Sequence, residues 1–179
     1  MGQSIPMLYV DVISALRTSR DALFEATEAC PPARHSAAPG PERWSVLDVL
    51  DHIELTDARM FSFLDRLLQR ALRQDRLEAR EMVEVPVSLA YRDAIPVYNA
   101  VAAFPGTEPS GRTESDIRAG MERSDSVLTA LIESGGKYDC IGLVAPHPIG
   151  RLNYYEWLYL RAEHDRLHTE QITEIVASL

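Results

Sequence analysis

Cysteine is scarce in this chain. Two residues, Cys30 and Cys140, are too few for a disulfide framework, so a reducing, cytoplasmic setting is expected. Long apolar runs are missing as well. No stretch approaches the ~18 consecutive apolar residues a membrane span needs, and no membrane partner is expected. Basic charge is also in deficit, with 18 Lys+Arg against 27 Asp+Glu and a formal net charge of -9. The densest basic stretch, Arg66 to Arg80, is broken by Asp75, Glu78 and several leucines, and reads as the solvated face of a helix. A phosphate backbone would be repelled by such a chain, which argues against nucleic acid as a partner. The first twenty residues carry no basic leader and hold Asp11 within their apolar part, so no signal peptide is expected. Strand-like alternation is lacking over any useful length.

Helical periodicity fills the space those absences leave. With 46% hydrophobic and 25% charged residues, the chain has the composition of an ordinary folded domain. One domain over residues 1–179 is expected, large enough to bury a core. Tyr9, Ile13, Leu16 and Leu23 recur at three- and four-residue steps and predict a helix from about Met7 to Glu28, ended by Pro31-Pro32. A second helix opens at Ser45 with Asp48 three residues on, a capping-box pair, and runs to about Arg73. Ile117, Met121, Leu128 and Leu131 mark a third, expected to stop at Ser134-Gly135-Gly136. The fourth starts at Asn153, an N-cap whose box partner is Glu156, and runs to the C-terminus.

Residues 84 to 111 contain four prolines and two glycines, too broken for a long helix. Short helical turns are expected at most, near Ala90–Ala94 or Tyr98–Ala103. A helix of ~28 residues is ~42 Å long, and ~13 extended residues suffice to return along it. This segment is ample for that, so the expected fold is an all-α, up-down-down-up four-helix bundle with a long crossover between helices two and three.

Five histidines differ in context. His164 and His168 are spaced i, i+4 on the fourth helix, and so leave one face about a turn apart. At 100° per residue they share an arc with Tyr154, Trp157, Ile172 and Ile175, which points them into the bundle. Two inward imidazoles are costly to charge and awkward to satisfy, and a shared cation answers both difficulties. His52 lies on the flank of helix two's apolar stripe, beside Val49. By periodicity it is either a third ligand or a half-buried histidine bonded to Asp48. His35 and His147 fall in proline-rich connections and are expected at the surface, although His147 could lie near the bundle mouth. Arg161 falls in the inward arc of helix four, where it could hold a substrate carboxylate or snorkel outward.

The run RWSVLDVLDHI at 43–53 resembles the helix-two signature of the DinB/YfiT-like superfamily. The run HPIGRLNYYEWLYLRAEHDRLHTEQI at 147–172 resembles that family's last helix, with loop, cap, H-x-x-x-H and following Gln in the same order. The resemblance implies a four-helix bundle and a divalent metal, zinc or nickel, held by His52, His164 and His168. It also implies a small-molecule substrate, since family members of known activity include transferases and isomerases that use a low-molecular-weight thiol. Three imidazoles leave a coordination position open, as catalytic sites do. The expected activity is a metal-dependent, thiol-dependent S-transfer to small electrophiles. The alternatives are a hydrolase using bound hydroxide, with Asp57 or Glu163 as the base unless these are simply a buried hydrogen-bonded acid and a solvated one, and a non-catalytic, metal-stabilised binding protein. Exposed stripes on long helices allow a homodimer.

Overall fold

A computed structural model describes residues 4–79, 84–88 and 105–179. The short helical turns expected near 90–94 and 98–103 lie outside these residues. The element order is β1 (Ser4–Leu8), α1 (Tyr9–Glu28), a 3-10 turn (Pro32–Arg34), α2 (Val46–Arg73), β2 (Glu84–Ser88), α3 (Glu114–Lys137), β3 (Val144–His147), β4 (Gly150–Asn153) and α4 (Tyr154–Ser178).

Local signals set most helix ends. Ser45 and Asp48 close a reciprocal capping box on α2, and Asn153 and Glu156 close another on α4. Thr113 accepts from the Asp116 amide at the start of α3. One end departs from expectation. Helix α3 runs through Gly135 and Gly136 to Lys137 instead of stopping there. The reason is packing. A Cβ at Gly135 would sit 2.6 Å from the Tyr9 hydroxyl and 3.0 Å from Tyr154 Cε1, so the glycine admits two rings to the helix surface. Those tyrosines also bond to carbonyls near the end of the helix, Tyr9 donating to Ile132 O at 2.7 Å and Tyr154 to Leu131 O at 2.8 Å.

Two short antiparallel ribbons were not foreseen. β1 pairs with β2 from Ser4↔Ser88 to Leu8↔Glu84, which shortens the first helix by two residues at its start and ties the crossover to the N-terminus. β3 and β4 form a hairpin around Pro148-Ile149, with Gly150 at φ 143°. Each strand has four or five residues, too few for a period-two pattern to register in the sequence.

The four helices make an up-down-down-up bundle. One end of the core gathers Leu23, Val49, Leu50, Ile117, Met121 and Ile172. The other gathers Tyr9, Leu16, Leu64, Leu128, Leu131 and Tyr154. Helices α2 and α3 therefore run parallel from the first end to the second, while α1 and α4 run the other way. α1 lies along α4 and α2 along α3. The face between α2 and α4 positions the histidines.

Candidate metal centre

Two elements of the site come from one helix and were set by spacing alone. His164 and His168 leave α4 a turn apart, their rings 4.4 Å apart and nearly perpendicular. The third, left open by periodicity and named by the family resemblance, is brought to the other two by the tertiary structure. His52 is 6% exposed, and it is the return segment after the crossover that closes over it. Asp51 anchors that segment: its Oδ2 accepts from the Ser110 amide at 2.7 Å and its Oδ1 from Arg112 Nε at 2.8 Å, while Arg112 also pairs with Glu54. Burial alone would raise the Asp51 carboxyl, but these donors hold it below its ordinary range. The anchored loop brings the carbonyl of Thr107 onto His52 Nδ1 at 2.6 Å, and the Trp44 ring lies tilted against His52 with centroids 5.0 Å apart. The alternative partner, Asp48, is taken by Ser45.

The three imidazoles converge through Nε2. His52 Nε2 lies 3.3 Å and His168 Nε2 3.1 Å from His164 Nε2. All three lie within mutual reach of one ion, with ligand atoms inside 4.8 Å of one another. A tetrahedral ion with metal–nitrogen bonds of ~2.0–2.1 Å sets nitrogen–nitrogen edges of about 3.3 Å, so these separations suit one.

Tautomers follow from the partners. A backbone carbonyl only accepts, so His52 Nδ1 carries the proton and its Nε2 presents a lone pair. His168 Nδ1 faces the Gln171 amide oxygen at 2.7 Å, which likewise frees its Nε2. Both lone pairs thus point at His164 Nε2. A neutral His164 has one proton to offer there and cannot serve both. A central cation satisfies all three nitrogens, and the residues present therefore fit one.

The surroundings keep these rings uncharged. Burial lowers His52, although the Thr107 carbonyl opposes the shift. Burial, then the neighbouring imidazoles, then Arg20 and Arg161 push His164 well below its ordinary value. His168 is pushed down to about 4 by burial and by His52. Neutral imidazole is the form that ligates a metal.

Other expectations are corrected. His35 is 4% exposed and not at the surface: its Nε2 meets Cys30 O and its Nδ1 meets Glu114, each at 3.0 Å, pinning the proline-rich connection to α3. His147 is half-buried against Trp157, rings 5.1 Å apart and edge-on. Arg161 neither snorkels nor waits for substrate. It is 2% exposed and engaged by Leu16 O and Asp165. Asp57 is fully buried and paired with Arg20, and Glu163, 4% exposed, pairs with Arg166. Cys140 is buried, its thiol pushed up to about 12 by burial and by Asp139.

Thr107 and Trp44 carried no signal as partners of His52, because one depends on the crossover and the other on a ring's direction. Gln171 was within reach of sequence reasoning, three residues beyond His168 on the same face.

A family model described as the DinB superfamily matches residues 15–172. No curated protein matches the chain. A crystal structure described as TT2238, a four-helix bundle protein, is similar over 93% of this chain and 98% of its own, with 20% identity and a TM-score of 0.61. At that identity the likeness speaks for the fold alone.

Proposed function

This chain belongs to the DinB superfamily, and from that premise we propose that it is a metal-dependent enzyme transferring a low-molecular-weight thiol to small electrophiles. The observation that carries the reading is the convergence of three Nε2 atoms, two of them with their tautomers already fixed. His52, His164 and His168 would hold a divalent ion, zinc or nickel. Such an ion acts as a Lewis acid and eases loss of a proton from a thiol or water beside it.

The chain's own residues do the orienting. Thr107 O and Gln171 Oε1 fix two imidazoles by hydrogen bonds to Nδ1, a support that holds a ligand's ring and raises its basicity. Trp44 covers His52, and the anchored segment 105–113 limits water around it. In the transfer, the thiol sulfur forms the new carbon–sulfur bond and its proton passes to solvent. The electrophile's leaving group departs with the electron pair of the bond that breaks. The hydrolase reading is weaker, because both carboxylates it would use, Asp57 and Glu163, are committed to arginines.

The test is to load purified protein with zinc or nickel and mix it with several cellular thiols and a model electrophile. A rate above the free-thiol background that vanishes in His52→Ala is expected. No such rate with any thiol overturns the transferase reading. Absence of metal uptake by protein purified without an affinity tag overturns the metal reading beneath it.

A further inference from the structure

Beside His52, α2 carries two further buried groups, the carboxylates of Asp51 and Glu54. They stand three residues apart on one side of the helix and are 1% and 4% exposed. Like charges so placed are costly unless a cation answers them. Among the described residues Arg112 is the one cation that reaches either. Its Nε donates to Asp51 Oδ1 at 2.8 Å, and its Nη2 lies 2.6 Å from that oxygen and also bonds to Glu54 Oε2.

Helix α3 contributes to this clamp by what it lacks. A Cβ at Gly120 would sit 2.5 Å from Glu54 Cδ and Oε1, so Glu54 keeps its place because no side chain stands there. Arg112 itself belongs to the segment that leads into α3. Gly106 at φ 85° and Gly111 at φ 73° bound the strap between them, both in the left-handed region that glycine adopts without steric cost. Within the strap, the Ser110 amide and hydroxyl donate to Asp51 Oδ2 at 2.7 and 3.2 Å. Thr107, 2% exposed, sets its carbonyl 2.6 Å from His52 Nδ1.

These attachments are unequal. The strap meets the imidazole through one carbonyl, whereas two buried carboxylates, a guanidinium and two Ser110 donors fasten it to α2. Charge-assisted bonds are roughly twice as strong as neutral ones. Where the Thr107 carbonyl stands is therefore set by the clamp and not by the ring it touches. The guanidinium suits the task because its fork donates in two directions at once, which an ammonium does not reproduce.

We propose that Arg112, which touches no histidine, is the positioning residue of His52. By bridging Asp51 and Glu54 it holds the strap closed, so that Thr107 O fixes the Nδ1 proton of the ring and Nε2 faces the other two imidazoles. The effect on ion affinity rests on the metal reading of the triad, whereas the tautomer of His52 is open to measurement with no ion present.

The test compares cobalt(II) titrations of apo wild type, Arg112→Met, Arg112→Lys and Gly135→Ala, with the melting temperature of each apo protein. Gly135→Ala strains the other end of the bundle and is expected to lower the melting temperature with affinity unchanged. Arg112→Met is expected to weaken cobalt affinity about 10–100-fold, the usual cost of losing an outer-shell partner of a ligating histidine. Arg112→Lys keeps the charge without the fork, and is expected to recover the melting temperature but not the affinity. Unchanged affinity in Arg112→Met, affinity restored by lysine, or an equal loss in Gly135→Ala overturns the assignment. Imidazole NMR of the metal-free proteins separates this proposal from the metal reading. The His52 Nδ1 proton is expected to be protected from solvent exchange in wild type and to exchange faster in Arg112→Lys, and equal protection in the two overturns the proposal. A wild type that takes up no cobalt overturns the metal reading alone, and the imidazole proton then decides the positioning. Where Arg112→Met does not fold, the lysine variant decides by the same two readouts.

Discussion

A single methyl group added at Gly135 probes the joint between α3 and the two tyrosines that lie across it. In an ordinary helix position Gly→Ala stabilises by about 1 kcal/mol. Here the new Cβ would lie 2.6 Å from the Tyr9 hydroxyl, 3.0 Å from Tyr154 Cε1 and 3.3 Å from Tyr9 Cζ. The rings must move. Overpacking of this kind costs about 1–3 kcal/mol. Displacing Tyr9 from Ile132 O forfeits a hydrogen bond whose loss costs about 1–3 kcal/mol when the group stays buried. The propensity gain does not offset both, and a net loss of about 2 kcal/mol is expected. For a chain of this size that lowers the melting temperature by about 4–8 °C. Thermal unfolding followed by circular dichroism measures it. The same substitution made in Tyr9→Phe, which lacks the nearest atom, should cost at least about 1 kcal/mol less, the coupling expected of residues in contact. A melting temperature that rises in Gly135→Ala would refute the reasoning, because Gly135 would then be an unfavourable helix residue and nothing more.

Arg161→Met should destabilise by about 3–5 kcal/mol in urea unfolding, because it leaves Asp57 and Asp165 with too little compensation in the core. Acid should destabilise the protein through His147, whose pKa burial lowers to about 4 from 6.5. The folded state then binds fewer protons than the unfolded state, so stability falls as pH drops below 6.5 and the loss is complete near 4. At pH 5 this amounts to at most about 2 kcal/mol, less what solvent screening removes for a half-buried ring, and His147→Gln should reduce the pH 7 to pH 5 loss of stability accordingly. Zinc or nickel at a free concentration ~100 times its Kd should stabilise wild type by about 2.7 kcal/mol, a rise of roughly 5–11 °C that a chelator reverses and His168→Ala abolishes. An equal rise in that variant would mean the ion binds elsewhere.

The helical frame was readable because its causes are local. Capping pairs at Ser45–Asp48 and Asn153–Glu156, and apolar residues at helical spacing, act within one turn of chain. His164 and His168 were readable for the same reason, since i, i+4 spacing fixes their common face. The parallel run of α2 and α3 was permitted, though not required, by the length of their connection, which a short one would forbid.

What the sequence could not decide depended on chain segments far apart. Whether His52 faces the interior turns on residues 105–113, folded back by Asp51 and Arg112 some sixty positions away. His35 is buried because the start of α3 lies against it, and Arg161 is engaged because α1 and α2 present Leu16, Arg20 and Asp57. Gly135 reads as a helix stop until two rings from other elements need its missing side chain. The sequence by itself determined four helices and two imidazoles on one inward face. The third ring, His52, was left open by periodicity and named by the family resemblance; only the tertiary structure brings it against the other two and shows which buried charges lie near, because hydrogen bonds and ion pairs form between neighbours in space, and neither spacing nor periodicity encodes those.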